Sequence, residues 1–143
     1  MNKASNRGCV MRSFLEDVVT NGQLHLIDEL AHPDMVDEAN QAFGGPPGRD
    51  GLVAHVIGFR KNIGQPQIEI HEVVGGDSQV MAWWSFSGIH SGPWLGIKPT
   101  NEAFTAQVFS FFSLREGRIE RYRLWLHAAL NPPVTFDSRT ANR

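Results

Sequence analysis

The spacing of apolar residues changes at Gly64, and this change restricts the chain to folds in which helices precede a sheet. Before Gly64, apolar residues recur every three or four positions. This spacing predicts three helices, over about 10–19, 24–30 and 52–63. After Gly64, apolar and polar residues alternate almost to the end, which is typical of strands with one buried face. Helices followed by strands indicate an α+β fold, with helices packed on one face of a mainly antiparallel sheet.

Four strands are predicted, and turn residues set how they pair. One strand holds Ile68 and Ile70, and the others run over about 80–86, 103–114 and 118–127. Gly117 suits the left-handed position of a hairpin loop between the last two strands. That loop predicts a register in which Val108 faces Leu126, Ser110 faces Leu124, and Phe112 faces Tyr122.

Length and charge exclude several classes of protein. With 143 residues and a net charge of −2, we expect one domain without the basic surface that binds nucleic acid. The single cysteine, Cys9, predicts neither a disulfide nor a metal site, and it fits a reducing cytoplasm. No apolar run has the length of a signal peptide or of a membrane span. We therefore expect a cytoplasmic protein that contacts neither nucleic acid nor a membrane.

The sheet face turned away from the helices is predicted to carry large apolar groups. Alternation puts Met81, Trp83, Phe109, Phe111 and Trp125 on it. So much exposed apolar area is unusual in a monomer, and it favours a homodimer packed sheet to sheet. The alternative is a sheet curled tightly enough to bury both faces within one chain.

Several segments resemble the SnoaL-like polyketide cyclase family of the nuclear-transport-factor-2-like (cystatin-like) superfamily. They are NGQLHLIDELAHPDMVDE, GLVAHVIGFRKNI, WSFSGIHSGPWLGIKPTNEAF and FSLREGRIERYRLWLH, and the resemblance covers about 10–130. It implies one domain over 1–143, with its core at about 10–130 and a polar tail at 131–143, taken as an extension or a disordered end. The implied fold is a conical barrel with N-terminal helices on a curved sheet, usually dimeric, around a hydrophobic ligand.

The chain departs from the pattern of this family at two positions. Family cyclases use an Asp on the last strand, within an Arg-Asp-Trp sequence, and a His on the preceding strand as acid and base. The corresponding positions here hold Leu124 and Ser110. A leucine cannot transfer a proton, so this change disfavours ring closure by the usual mechanism.

The predicted pocket is apolar, which suits a flat aromatic polyketide-like ligand. Some family members are linked to hydroxylation of anthracycline-type polyketides, and this branch is favoured over ring closure. No cofactor or metal motif is present, so hydroxylation would need a substrate that activates oxygen or a partner reductase. The alternatives are a cyclase with relocated acid and base residues and a non-catalytic binding module. The expected substrate-binding residues are Trp84, Phe86, Gln107, Ser110, Phe112, Arg123, Leu124 and Leu126.

Three polar residues are candidate catalytic groups. His55 lies beside the apolar stripe of the third helix and would serve as a base near neutral pH, or else touch water at the core boundary. Tyr122 is the only tyrosine, and its hydroxyl needs a partner if it is buried. His127 ends the last strand, where it would bind a carbonyl group or remain solvated.

Gln107 and Arg123 share a face with Trp125, which favours an interface role over substrate contact. One of Asp37, Glu38 and Asn40, expected in a loop at the barrel mouth, would gate or polarise the ligand.

Overall fold

The computed structural model describes residues 10–141, so the predictions for Cys9 and for the last two residues lie outside its described part. A helix, α1, occupies residues 10–20, and its last seven residues, Phe14–Thr20, are π-helical. A short 3₁₀ turn, Leu24–Leu26, leads into the next helix. The remaining helices are α2 (Ile27–Leu30), α3 (Glu38–Ala42), α4 (Arg49–Asn62) and α5 (Ser138–Ala141).

A mixed, curved sheet of six strands packs against these helices, and the α+β prediction is confirmed. Its path runs β1-β5-β4-β3-β2, and β6 pairs with β5 outside this path. The sheet does not close into a full barrel, because the path ends at β1 on one side and at β2 on the other. The strands are β1 (Ala31–Asp37), β2 (Ile63–Gly75), β3 (Gln79–His90), β4 (Ala103–Arg115), β5 (Arg118–Ala128) and β6 (Val134–Asp137).

The pairing of β4 with β5 agrees with the register predicted from the hairpin. Ser110 lies opposite Leu124, Phe112 opposite Tyr122, and Val108 opposite Leu126. The loop residue Gly117 has a φ of 76°, a left-handed conformation that glycine adopts without strain. The predicted turn chemistry therefore fixed which side chains of this hairpin share a face.

Two short strands were not predicted. The segment around Asp37 was expected to be a loop. Instead it forms the end of β1 and continues directly into α3. The tail was expected to be an extension or a disordered end. Instead it contributes β6 and α5, and β6 pairs with β5 from Trp125 to Ala128. Both strands are short and lack a clear alternation of apolar residues, so their pairing with β5 is a tertiary effect.

The two sheet faces differ as the alternation predicted. Val80, Ala82, Trp84 and Phe86 of β3 are buried against the helices. The opposite face, which we call the outer face, carries Met81, Trp83, Phe109, Phe111 and Trp125. Four of these remain 37–40% exposed. The alternative of a sheet that buries both of its faces within one chain is therefore wrong for the part that the structure describes.

Candidate functional site

An apolar cavity lies between the inner face of the sheet and helices α1, α3 and α4. Its volume is about 50 Å³, small beside the ~300–1,000 Å³ of most ligand pockets. A ligand with several rings would therefore need the walls to move apart. The lining residues are Phe14, Val19, Ala39, His55, Val56, Phe59, Trp84, Phe86, Trp94, Leu95, Val108, Tyr122, Leu124 and Leu126.

Half of the eight residues predicted to bind a ligand line this cavity. Trp84, Phe86, Leu124 and Leu126 line it. Phe112 does not line it, and instead packs edge-on against Tyr122 with a ring-centroid distance of 5.0 Å. Phe112 therefore supports the wall from behind.

His55 is a polar residue of the cavity wall, and it is paired with Asp37, which does not itself line the cavity. Nδ1 of His55 lies 2.7 Å from Oδ2 of Asp37. A carboxylate only accepts hydrogen bonds, so Nδ1 carries the hydrogen and donates it to Asp37. In neutral His55, Nε2 is then the basic nitrogen, and no residue in the range 10–141 hydrogen-bonds to it.

Backbone structure on both sides positions this pair. Asp37 ends β1, where it lies in register beside Tyr122 of β5. The Oδ1 atom of Asp37 accepts the backbone N–H of Asn40 at 3.1 Å and caps α3, so the carboxylate is held from two directions. His55 lies on α4 three residues after Leu52 and four before Phe59, which are both buried. The helix therefore turns His55 toward the sheet.

The environment of His55 changes its pKa in two opposing ways. Burial lowers the pKa of His55, but the charge of Asp37 and the hydrogen bond to it outweigh burial and raise the pKa above its ordinary value. The Asp37 side chain is only 1% exposed and the His55 side chain 29%. Water therefore screens the pair weakly, and the raised pKa makes neutral His55 a stronger base than an ordinary histidine.

Tyr122 lies beside His55 and joins a second polar group. The two rings are nearly parallel, at 17°, with centroids 5.8 Å apart. The Tyr122 hydroxyl is 2.8 Å from Oγ of Ser110, which also accepts the indole N–H of Trp84 at 2.9 Å. Burial raises the pKa of Tyr122, the hydrogen bond with Ser110 lowers it, and the charge of Asp37 raises it, so that the net change is upward. Tyr122 therefore remains protonated near neutral pH.

Three predicted site residues lie away from the cavity, on the outer face. Gln107 accepts the indole N–H of Trp83 at 2.8 Å. Arg123 lies over the Phe111 ring, with its guanidinium carbon 5.8 Å from the ring centroid. The Nδ1 atom of His127 is 3.0 Å from the Thr135 hydroxyl of β6. Because successive side chains of β4 and β5 point to opposite faces of the sheet, all three residues lie on the other side of the sheet from His55. This position favours an interface role for Gln107 and Arg123.

The described residues meet neither the requirements of a multi-ligand metal site nor those of a membrane-spanning helix. Within 10–141, no group of three or more His, Cys, Asp or Glu side chains is placed to hold a metal ion. No helix in this range has both the length and the apolar character needed to cross a membrane.

The sequence alone did not single out two important parts of the site. Asp37 was only one of three polar candidates near the barrel mouth, and nothing in the sequence linked it to His55, 18 residues later. Trp94 and Leu95 line the cavity from the Gly/Pro-rich connection between β3 and β4. The signal for them was the apolar pair Trp94-Leu95 inside a stretch that otherwise has a loop composition.

The shape of the fold matches those of several solved structures. TsrD from Streptomyces laurentii superposes with a TM-score of 0.72 at 19% identity, over 85% of this chain and 88% of that one. IdmH from Streptomyces antibioticus, a proposed polyketide cyclase, gives 0.65 at 20% identity, over 85% and 91%. AclR from Streptomyces galilaeus, a proposed hydroxylase, gives 0.66 at 15% identity, over 85% and 79%. At such identities these similarities establish the fold and nothing more.

Sequence comparison gives the family. No curated protein sequence is significantly similar to this chain. The model of the SnoaL-like polyketide cyclases matches residues 9–129, which include every strand of the sheet except β6 and all the residues that line the cavity. By this match, and in agreement with the fold, the chain belongs to the SnoaL-like polyketide cyclase family.

Proposed function

We propose that this protein is an acid–base enzyme that acts on an apolar, polyketide-like carbonyl compound, with His55 as the base and Asp37 as the group that orients it. The observation that carries this proposal is the 2.7 Å contact of Asp37 with His55, which lines an apolar cavity. Such an enzyme would be a cyclase with relocated acid and base residues, which is one of the alternatives that the sequence left open.

The chemistry follows from the geometry of the pair. Nε2 of neutral His55 would take a proton from a carbon next to a carbonyl group, and Asp37 would stabilise the imidazolium that forms. The resulting enolate would attack a second carbonyl of the same molecule and form a carbon–carbon bond. His55 would then return the proton to the new alkoxide, so that the ring closure consumes no other reagent.

Deuterium exchange tests the base without knowledge of the natural substrate. We expect the protein in D₂O to accelerate exchange at the carbon beside the carbonyl of 2-tetralone, a bicyclic ketone. His55→Ala should lower that rate by about 10²–10⁴-fold, as expected for loss of a general base. His71→Ala is the matched control, because His71 lies on the outer face beside Trp83. Exchange at the buffer rate, or an unchanged rate in His55→Ala, would contradict the proposal.

Asp37→Asn tests the orienting role through the pH profile. The base is active when His55 is unprotonated, so exchange should rise with pH through the pKa of His55. Removing the charge of Asp37 should lower that pKa and move the rise to lower pH, with a lower plateau because the base is weaker. A profile that does not move would show that Asp37 is not coupled to the base.

Hydroxylation is the second candidate, and the fold similarity to the proposed hydroxylase AclR favours it. A reduced anthraquinone would supply two electrons to O₂, so that one oxygen atom enters the ring as a hydroxyl group and the other leaves as water. A partner reductase would supply the reduced substrate from the quinone. Incubation of the protein with reduced anthraquinone in air should then give a hydroxylated product that is absent without O₂. If instead ligands bind but neither exchange nor oxygenation occurs, a non-catalytic binding module is the better description.

We also propose that two copies pair through the outer face. Trp83 stacks on Phe109 with ring centroids 6.2 Å apart, and Phe109 meets Trp125 at 5.8 Å. These rings form one continuous apolar patch, and a second copy of the same face would cover it. The cytoplasmic location inferred from the single cysteine remains a prediction alongside this one.

A further inference from the structure

Three polar side chains form a buried hydrogen-bonded chain across the centre of the sheet. Trp84 comes from β3, Ser110 from β4 and Tyr122 from β5. The Trp84 indole N–H donates to Oγ of Ser110 at 2.9 Å, and that oxygen lies 2.8 Å from the Tyr122 hydroxyl. Ser110 is fully buried, whereas Trp84 and Tyr122 also line the cavity.

The number of available hydrogens determines which group donates and which accepts in each of these hydrogen bonds. An indole N–H can only donate, so Ser110 accepts at that end. If Tyr122 also donated to Ser110, the hydroxyl hydrogen of Ser110 would need another acceptor, and its hydrogen bonds within 10–141 involve Trp84 and Tyr122 alone. A buried donor without an acceptor is costly. One of the two hydroxyl hydrogens lacks a protein acceptor, and only Tyr122 lines the cavity, where a ligand can accept it. Ser110 therefore donates to Tyr122, and the Tyr122 hydrogen is left for a ligand in the cavity.

The surroundings keep Tyr122 a donor. Burial and the nearby charge of Asp37 together raise the pKa of Tyr122 by more than the hydrogen bond with Ser110 lowers it. Its hydroxyl therefore keeps its hydrogen over the range in which His55 titrates. Because each hydroxyl in a chain of hydrogen bonds polarises the next, the donation from Ser110 makes the Tyr122 O–H a stronger donor.

We infer that Ser110 is a positioning residue that directs the Tyr122 hydroxyl hydrogen into the cavity, so that the cavity selects apolar ring compounds carrying a carbonyl oxygen. This inference rests on the proposed function and names its ligand class. It gives Ser110 and Tyr122 a part in the same site as His55. In a ring closure, the Tyr122 O–H would stabilise the negative charge that develops on the carbonyl oxygen.

A matched pair of ligands tests the inference by binding alone. Fluorene and 9-fluorenone share one tricyclic skeleton and differ by the carbonyl oxygen. We expect Tyr122→Phe to lower the ratio of the ketone affinity to the hydrocarbon affinity by about three- to tenfold, the usual worth of one hydrogen bond. Ser110→Ala should lower the ratio in the same direction. In the Tyr122→Phe background, Ser110→Ala should change it no further, because Ser110 acts through Tyr122.

Infrared spectroscopy of bound 9-fluorenone reports the hydrogen bond to the carbonyl oxygen directly, whatever the affinity of each variant. In the wild-type complex, the carbonyl stretching frequency should fall below its value in an apolar solvent, because the Tyr122 O–H bonds to the oxygen. The shift should be absent in Tyr122→Phe and smaller in Ser110→Ala. If Ser110→Ala does not fold, Ser110→Cys keeps a weak donor at the same place and should give an intermediate shift.

Several outcomes would overturn the inference. They are a wild-type carbonyl band without a shift, an affinity ratio unchanged in Tyr122→Phe or in Ser110→Ala, and failure of both ligands to bind. The proposed function fails separately, when 2-tetralone shows no exchange above buffer. A ketone-selective cavity without proton exchange would leave the role of Ser110 intact and remove that of His55.

Discussion

Asp37 contacts His55 through Oδ2 and Nδ1 at 2.7 Å, and this contact joins the end of an edge strand to the middle of the longest helix. Asp37 is buried, whereas His55 is partly exposed and lines the apolar cavity. We propose this pair, from β1 and α4, as the acid–base group in place of the β5 and β4 positions that the family resemblance implies, which hold Leu124 and Ser110. The fold supplies this alternative position because β1 runs beside β5 and ends next to Tyr122.

The first prediction concerns the pH dependence of stability. The pKa of His55 is higher in the folded protein than in the unfolded chain, where it is ordinary. Its stabilising contribution is therefore fully present below the ordinary pKa and is lost as pH rises through the raised one. His55→Gln should reduce the free energy of unfolding more at about pH 5 than at about pH 9. Urea denaturation at both values measures this difference.

The Asp37→Asn background provides the control for this measurement. Without the charge of Asp37, burial is the main remaining influence on the pKa of His55, and burial lowers it. The excess cost of His55→Gln at low pH should then disappear. If it persists, the stabilising partner of protonated His55 is not Asp37.

The second prediction concerns two glycines on α4. A methyl group added at Gly51 would clash with the carbonyl oxygen of Pro46, whereas nothing lies within 4 Å of one added at Gly58. Gly58→Ala should raise the free energy of unfolding by about 0.5–1 kcal/mol, because alanine loses less conformational freedom in a helix. Gly51→Ala should lower it, since a backbone atom would have to move. Equal effects of the two substitutions would refute the close packing of α4 on the Pro46 loop.

The third prediction concerns the C-terminal segment. Ser138 of α5 is fully buried, and its hydroxyl accepts the N–H of Leu124 at 3.0 Å while it donates to Glu38 at 3.2 Å. Ser138→Ala would leave the Leu124 N–H without this acceptor, which should cost about 1–3 kcal/mol in urea denaturation. Thr140→Ala is the control, because its hydroxyl bond to the Asp137 carbonyl is exposed. A neutral Ser138→Ala would mean that the segment does not hold the strand that forms the cavity wall.

The fourth prediction concerns the outer face. Phe109 is 38% exposed and lies between Trp83 and Trp125. Phe109→Glu would place a charge at the centre of the proposed contact between two copies, so we expect sedimentation analysis to change from dimer to monomer. Lys61→Glu adds the same charged side chain on the exposed side of α4, on the opposite side of the sheet, and is the control. A wild-type protein that sediments as a monomer at high concentration would refute the pairing.

The sequence was informative where neighbouring residues decide the structure. The alternation over β3, β4 and β5 fixed which residues are buried, and the Gly117 turn fixed which of them face each other across the hairpin. Trp84, Phe86, Leu124 and Leu126 could therefore be predicted at the cavity. Strand β1, by contrast, spans a proline and two aspartates, and only its pairing with β5 makes it a strand.

The sequence by itself determined that helices precede the main strands of the sheet, and it determined the register of the last hairpin. These depend on local spacing and turn chemistry, which act over a few residues. Only the tertiary structure decided that Asp37 meets His55 and that Ser110 links Trp84 to Tyr122. Contacts of this kind join different strands and helices, and their geometry exists only once packing has fixed the elements relative to one another.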